Sequence, residues 1–426
     1  MFFAYYACHF SHLESRMLLD ISPLKNNRPF RFLYINAMLC IFAAQIYLVA
    51  LPFQIYHLTN STLLVGLLSL CELVPMVLMG LLGGAFADRF DRKKILMLTG
   101  LLSAVGSLLL LWNASLAHPH IVPLFLIGFL MSAAGGLGRP AAGALTQAVI
   151  GRGNFKAVSS LTSFGYSFTS IVGPALTGLF IAHFGFPCVF IINFCFYIIG
   201  IGVLFRLSIT HKVEVAAEKM KVMASIRQGL HYAVKSQELM GSYIVDIVAM
   251  IFGMPNALFP ALAQHLGGAS AVGFLYAAPS IGALVITLFS QWTQKVKAYG
   301  KAVIISALFW GIFIIFLGLT HSLLLAVIFL ACAGAADAVS GIFRQTLWNE
   351  TIPNHLRGRL AGIEMISYMS GPALGNAEAG LVASAFGVAA SVISGGVICV
   401  IGVAVCIKYF PKFWKYQADV RSDHMD

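Results

Sequence analysis

The sequence predicts an all-α membrane protein, with twelve transmembrane helices in two six-helix, pseudo-symmetric halves. Three observations carry this. First, the 426 residues are 59% hydrophobic and 10% charged, with a mean hydropathy of +0.87. Soluble domains carry about 25% charged residues, so this chain cannot coat a water-facing surface, and a soluble enzyme or a disordered chain is excluded. Second, the apolar residues gather into twelve runs of about 20 residues or more, the length that crosses a bilayer as helix. Third, one long polar connection divides those runs six plus six.

In chain order the expected spans are 31–57, 62–87, 94–114, 121–149, 157–183 and 187–206, then 239–264, 271–293, 301–320, 322–349, 360–386 and 388–408. Residues 1–30 form an expected cytoplasmic extension, without the basic start and small-residue cleavage site of a secretory leader; Met17 is an alternative start to Met1. The bundles are expected over 31–206 and 239–408. The central loop 207–238 carries Lys212, Glu214, Glu218, Lys219, Lys221, Arg227 and Lys235, and 409–426 is a cytoplasmic tail.

Charge placement predicts orientation. Only Arg139 and Arg344 lie deep within spans; the other Lys and Arg fall at the termini and in even-to-odd connections. Under the positive-inside rule both termini and the central loop face the cytoplasm, in the inner membrane. The net charge of +11 then needs no nucleic-acid partner. His57, His118, His120, His183, His265 and His321 fall in the opposite, outward connections, as interfacial polar residues or as a pH sensor. The eight cysteines form no CxxC pair and read as buried thiols in helices.

The halves echo each other. Gly178–Gly185 (GLFIAHFG) resembles Gly380–Gly387 (GLVASAFG), and Arg139 to Arg152 has the same spacing as Arg344 to Arg357. Duplicated bundles are a common plan in transporters, with a site near the midplane between the copies.

The loop after the second run reads Gly84-Ala-Phe-Ala-Asp88-Arg89-Phe-Asp91-Arg92-Lys-Lys94. It resembles the GxxxDRxGRRK signature of the major facilitator superfamily, with Asp91 where glycine is commonest. Gly83 and Gly84 permit close helix contact, Asp88 suits a helix N-terminus, and Arg89 and Arg92 suit carboxylates or C-terminal carbonyls. The resemblance implies a latch that locks the halves on the cytoplasmic side in the outward-open state. Its counterpart, Gln291–Lys301, lacks the Asp-Arg pair, so the latch is expected to be one-sided. Gly165, Gly173, Pro174 and Gly178 partly match the glycine-proline element of drug-proton antiporters, which favours export. Gly375-Asn376 stands at the aligned place in the second half. Further segments resemble the enterobactin exporter family and related macrolide efflux proteins: Val49–Pro52, Leu58–Thr62, Arg139–Ala141, Gly173–Leu176, Gly273–Ala278 and Arg357–Arg359.

Ionisable residues inside spans are costly and therefore functional candidates. They are Glu72, Arg139, Asp246, Asp337, Arg344, Glu364 and Glu378. Asp337 and Arg344 are two helical turns apart on one face, and Glu364 is placed to neutralise Arg344. Asp337 or Asp246 is expected to carry a proton; each also reads as a structural ion pair. Glu72 suits a proton or a cation, and Arg139 an anionic cargo or a carboxylate. Phe164, Tyr166, Phe168, Phe252, Tyr276 and Tyr368 are candidate cavity walls for a planar or catechol-like cargo. The chain lacks the P-loop, HExxH, GxSxG and paired Cys/His patterns, so no cofactor, metal or enzymatic role is expected. The expectation is a proton-coupled exporter of a siderophore-like metabolite, monomeric in the bilayer, with small-molecule cargo and protons as partners. A drug or macrolide pump of the same superfamily is the alternative, and an ion channel a distant one.

Overall fold

The computed structural model describes residues 20–150, 155–207, 231–353 and 356–417. The expectations for residues 1–19, for most of the central loop and for the last nine residues lie outside the described residues. Among the described residues ten helices are long and apolar enough to cross a membrane. They are α1 (Arg28–Thr59), α2 (Thr62–Arg89), α3 (Arg92–Ala114), α4 (Ile121–Val149), the continuous stretch Phe155–Phe205, α7 (Gln237–Leu266), α8 (Ala269–Leu288), α9 (Tyr299–Leu319), α10 (Leu323–Thr351) and α12 (Val388–Tyr409). The stretch Phe155–Phe205 turns at Gly185, whose φ of 76° lies outside the helical region. A side chain is disfavoured in that conformation, and Pro187 follows. The turn divides the stretch into α5 (155–184) and α6 (186–205). The remaining long helix, α11 (Arg357–Phe386), holds Glu364 and Glu378 and is not among the ten.

Three boundaries depart from expectation. The segment expected as one span over 239–264 is broken. It runs Gln237–Phe252, passes through Gly253 and Pro255 into the 3-10 turn Asn256–Leu258, and resumes as Phe259–Leu266. Backbone groups freed inside a membrane must find partners. Trp310 Nε1 donates to Gly253 O (3.0 Å), Ala257 N to Asn376 Oδ1 (3.0 Å) and Tyr276 Oη to Asn256 O (3.1 Å). Helix α8 stops at Leu288, and Ser290–Lys295 continues as 3-10 helix. The expected loop of Gly84–Lys94 is mostly helix: Asp88 and Arg89 form the last turn of α2, and only Phe90 and Asp91 turn.

Helices α1–α6 pack among themselves, as do α7–α12. Buried polar side chains fasten the first group: Ser107 Oγ (α3) donates to Asn193 Oδ1 (α6) at 2.6 Å, and Asn193 Nδ2 donates to Ala43 O (α1) at 2.7 Å. In the second group the short helix Pro411–Trp414 folds back. Fully buried Phe413 seats against Gly241 of α7 and Gly300 of α9, where a side chain would collide with it. Lys301 Nζ lies 5.7 Å from the Trp414 ring centroid.

The two groups meet chiefly through α5 against α8 and α2 against α11. Each crossing is made by a glycine pair, Gly178 with Gly273 and Gly66 with Gly380. Gly66 and Gly273 are both the fifth residue of their helix, and Gly178 and Gly380 occupy the same place in the sequence echo. Their elements end alike, at Gly185 (φ 76°) and Gly387 (φ 91°). The repeat is therefore structural, with α2 matching α8 and α5 matching α11. Among the described residues four hydrogen bonds join the groups at this end: Tyr56 Oη to Gln264 Oε1, Gln264 Nε2 to Asn60 Oδ1, Thr62 Oγ1 to Gly380 O and Asn376 Nδ2 to Ser69 Oγ. It is also the end of exposed His57, His118, His183, His265 and His321. At the opposite, basic end Gly83 packs on Leu137 and Pro140 of its own group, and Gly84 has open space around it. The structure is closed at the histidine end.

A Cβ at Gly178 would stand 2.7 Å from Gly273 N, and one at Gly66 2.7 Å from Asn376 O. Gly178→Ala and Gly66→Ala are therefore expected to open the histidine end. Spin labels at exposed Ser115 and Ser322, in a background without native cysteines, should report longer distances in both variants. Unchanged distances would show that the glycine pairs do not hold this end shut.

Candidate functional site

Seven residues separate Asp337 and Arg344 on α10, so both project from one face two turns apart. Helix α7 brings Asp246 to the same face. The Arg344 guanidinium pairs with Asp246 through Nη1, and its Nη2 lies 3.7 Å from Asp337 Oδ1. Arg344 and Asp246 are nearly buried, at 12% and 11% side-chain exposure, whereas Asp337 is 42% exposed. The two carboxylates border a narrow crevice with Ala249, Met250, Trp310 and Ser340. Glu364 of α11, expected to neutralise Arg344, lies only within electrostatic range of it. Geometry explains the substitution: the aspartates stand on α10 itself and on the helix facing it, while Glu364 approaches from α11. Pairing of Arg344 with both aspartates at once was not legible in the sequence, because it depends on how α7 rotates against α10.

Two carboxylates thus share one guanidinium. With all three ionised the cluster is net negative. One proton makes it neutral, which suits a low-dielectric surrounding. Asp337, the more exposed and more distant partner, is the better placed to take it.

Glu72 stands apart from this cluster, in the first group. Tyr47 Oη of α1 donates to Glu72 Oε1, and Gly128 of α4 leaves room for the carboxyl. Ser132 Oγ donates to Glu72 O at 2.7 Å. No cation pairs with Glu72 among the described residues. Neither Arg139 nor Glu378 forms an ion pair among the described residues, and Arg139 is exposed. Tyr166 and Tyr368 are 51% and 64% exposed and approach each other between the groups. Tyr276 is not a cavity wall: it is buried and packs edge-on against Phe259.

The signature residues act within one group. Asp91, not Asp88, caps α3, accepting from Lys93 N (2.8 Å) and Lys94 N (3.4 Å). Arg92 donates to Ala87 O and Ala144 O, so it binds the carbonyl ends of α2 and α4. Lys93 Nζ donates to Leu207 O (2.7 Å), which ties α3 to the end of α6. Asp88 is exposed and forms no ion pair among the described residues. That is the arrangement expected when the basic end is parted. In the glycine-proline element, Gly173 lies against Gln45 of α1, and Pro174 O approaches Gly273. Asn376, at the aligned place, instead bonds to the α7 break and to Ser69.

The sequence profile described as transmembrane secretion effector matches residues 20–426. The chain belongs to this family of the major facilitator superfamily. Among the relatives of this facilitator, enterobactin exporter EntS of Shigella boydii serotype 4 is 29% identical over 394 residues, covering 92% of this chain and 94% of the relative. Enterobactin exporter EntS of Escherichia coli O1:K1 is 28% identical with the same coverage. Solved structures share the fold. The nucleoside transporter NupG superposes with a TM-score of 0.76 at 13% identity, covering 90% of this facilitator and all of that chain. A peptide transporter of the POT family gives 0.73 at 12% identity, covering 92% and 96%. This facilitator is a multi-pass membrane protein that handles a small-molecule substrate.

The ion pair makes a stability prediction. Removing one partner of a buried pair leaves an uncompensated charge and costs about 3 kcal/mol or more. Asp246→Ala should therefore lower the thermal unfolding midpoint in detergent clearly more than Asp337→Ala. Equal shifts would mean that the two carboxylates carry Arg344 equally.

Proposed function

We propose that this facilitator is a proton-coupled exporter that antiports a secreted, siderophore-like metabolite across the inner membrane by alternating access. The observation that carries the reading is the Asp246–Arg344–Asp337 cluster, whose charge one proton balances. Both termini and the loop 207–238 lie in the cytoplasm, which puts the basic end inside and the histidine end outside. The chain crosses twelve times, as bundles 31–206 and 239–408, and works as a monomer without cofactor, metal or enzymatic activity. The structure, closed at the histidine end, then corresponds to the inward-facing state that receives cargo. The signature at Asp88–Arg92 closes on the second bundle after cargo loads. The enterobactin exporters among the relatives support a siderophore-class cargo.

Loading and release of the proton are assigned to Asp337. In vesicles with an imposed proton gradient, Asp337→Asn should abolish gradient-driven transport and keep cargo exchange without a gradient. Full gradient-driven transport in both Asp337→Asn and Asp246→Asn would overturn the assignment. The cargo class is tested by comparing metabolites secreted with and without the gene under low iron. Loss of a siderophore from the medium is expected. Drug sensitivity with normal siderophore secretion would instead mark a drug pump.

A further inference from the structure

We infer that Arg139 of α4, Tyr166 of α5 and Tyr368 of α11 form a binding site for an anionic aromatic cargo in the cleft between the two bundles. The inference rests on the export reading above and names the chemistry its cargo must have.

Depth is the first support. Arg139 lies ten residues before the end of α4 at Val149, Tyr166 eleven after Phe155, and Tyr368 eleven after Arg357. At 1.5 Å per residue all three sit about 15 Å inside the basic end. They come from both bundles: Arg139 and Tyr166 from the first, Tyr368 from the second. The Tyr368 hydroxyl approaches that of Tyr166, and both Arg139 and Asp337 lie within its electrostatic range. Helix α4 packs on α1, α2 and α3, while the Arg139 charge acts on Tyr368 of the second bundle.

Charge is the second support. An arginine at this depth is costly unless it faces water or a partner. Arg139 is exposed and forms no ion pair among the described residues. Asp337, which like Arg139 acts on Tyr368, already faces Arg344. The guanidinium is therefore available to an anion, which it binds through paired N–H donors. A cation would meet like charge. The two phenols add hydrogen-bonding hydroxyls and aromatic faces, suited to a planar hydroxylated ring. Half or more of each tyrosine is exposed, so the site is open rather than filled by packing. Tyr368 also places the cargo beside Asp337, so cargo and proton sites adjoin.

The test uses the full chain in lipid nanodiscs and three probes of one shape: salicylate, neutral salicylamide and cationic 2-hydroxybenzylamine. Calorimetric titration should show salicylate bound about tenfold more tightly than salicylamide, the scale of one charge-assisted hydrogen bond, and the amine weakest. Arg139→Gln should erase the difference between salicylate and salicylamide, while Arg139→Lys keeps part of it. The double variant Tyr166→Phe, Tyr368→Phe should weaken both probes alike. Thermal unfolding verifies that each variant is folded, and Arg139→Lys serves if Arg139→Gln is not. Failure of salicylate to bind, equal binding of the three probes, or an undiminished preference in Arg139→Gln would overturn the site. These measurements use no gradient, so proton coupling can fail while the site stands, and the reverse.

Discussion

Close backbone approach at two glycine pairs is the constraint on which the architecture depends. Lipid supplies no hydrophobic drive between helices, so packing must come from surfaces that fit. Gly66 with Gly380 and Gly178 with Gly273 let main chains touch where any side chain would hold them apart. The contacts sit at one end only. The same pairs that join the bundles therefore leave the other end free to part, and that opening is what exposes Arg139, Tyr166, Tyr368 and Asp337. Duplication explains the matching positions of the two pairs. It also allows divergence between them, since Pro174 and Asn376 occupy equivalent places with different bonds.

Charge is distributed as unequally as the glycines are symmetric. The second bundle holds a guanidinium between two aspartates. The first holds a carboxyl with a tyrosine, Glu72 with Tyr47, and among the described residues no cation pairs with that carboxyl. The bundles share a frame but not a chemistry. Under the proposed alternating access, rocking of one against the other would carry the paired guanidinium past a lobe whose Glu72 carboxyl is held by the Tyr47 hydroxyl.

Periodicity and apolarity made the helices legible, and charge bias made the two ends distinguishable. The repeat of Gly178–Gly185 in Gly380–Gly387 pointed to pseudo-symmetry, and the spacing of Asp337 and Arg344 to a shared face. The break in α7 was not legible as a break. Gly253 and Pro255 mark a weak point, but whether it opens depends on Trp310, Asn376 and Tyr276, which come from three other helices. The capping role of Asp91 was missed because the signature directs attention to Asp88; the bare order of an acidic residue before Arg92, Lys93 and Lys94 was the available sign. Choice among Asp246, Asp337 and Glu364 as partners of Arg344 needed the rotation of α7 about its own axis, which no local pattern encodes.

Phe413 has a consequence for biogenesis. Its seat between Gly241 and Gly300 is built from helices that leave the ribosome long before it. Until that residue arrives, Gly241 lacks the ring and Gly300 the main chain that pack on them. The packing of the second bundle is thus completed only after the segment that follows α12 has been synthesised. Truncation just ahead of residue 413 would leave Gly241 and Gly300 without the residue that packs on them.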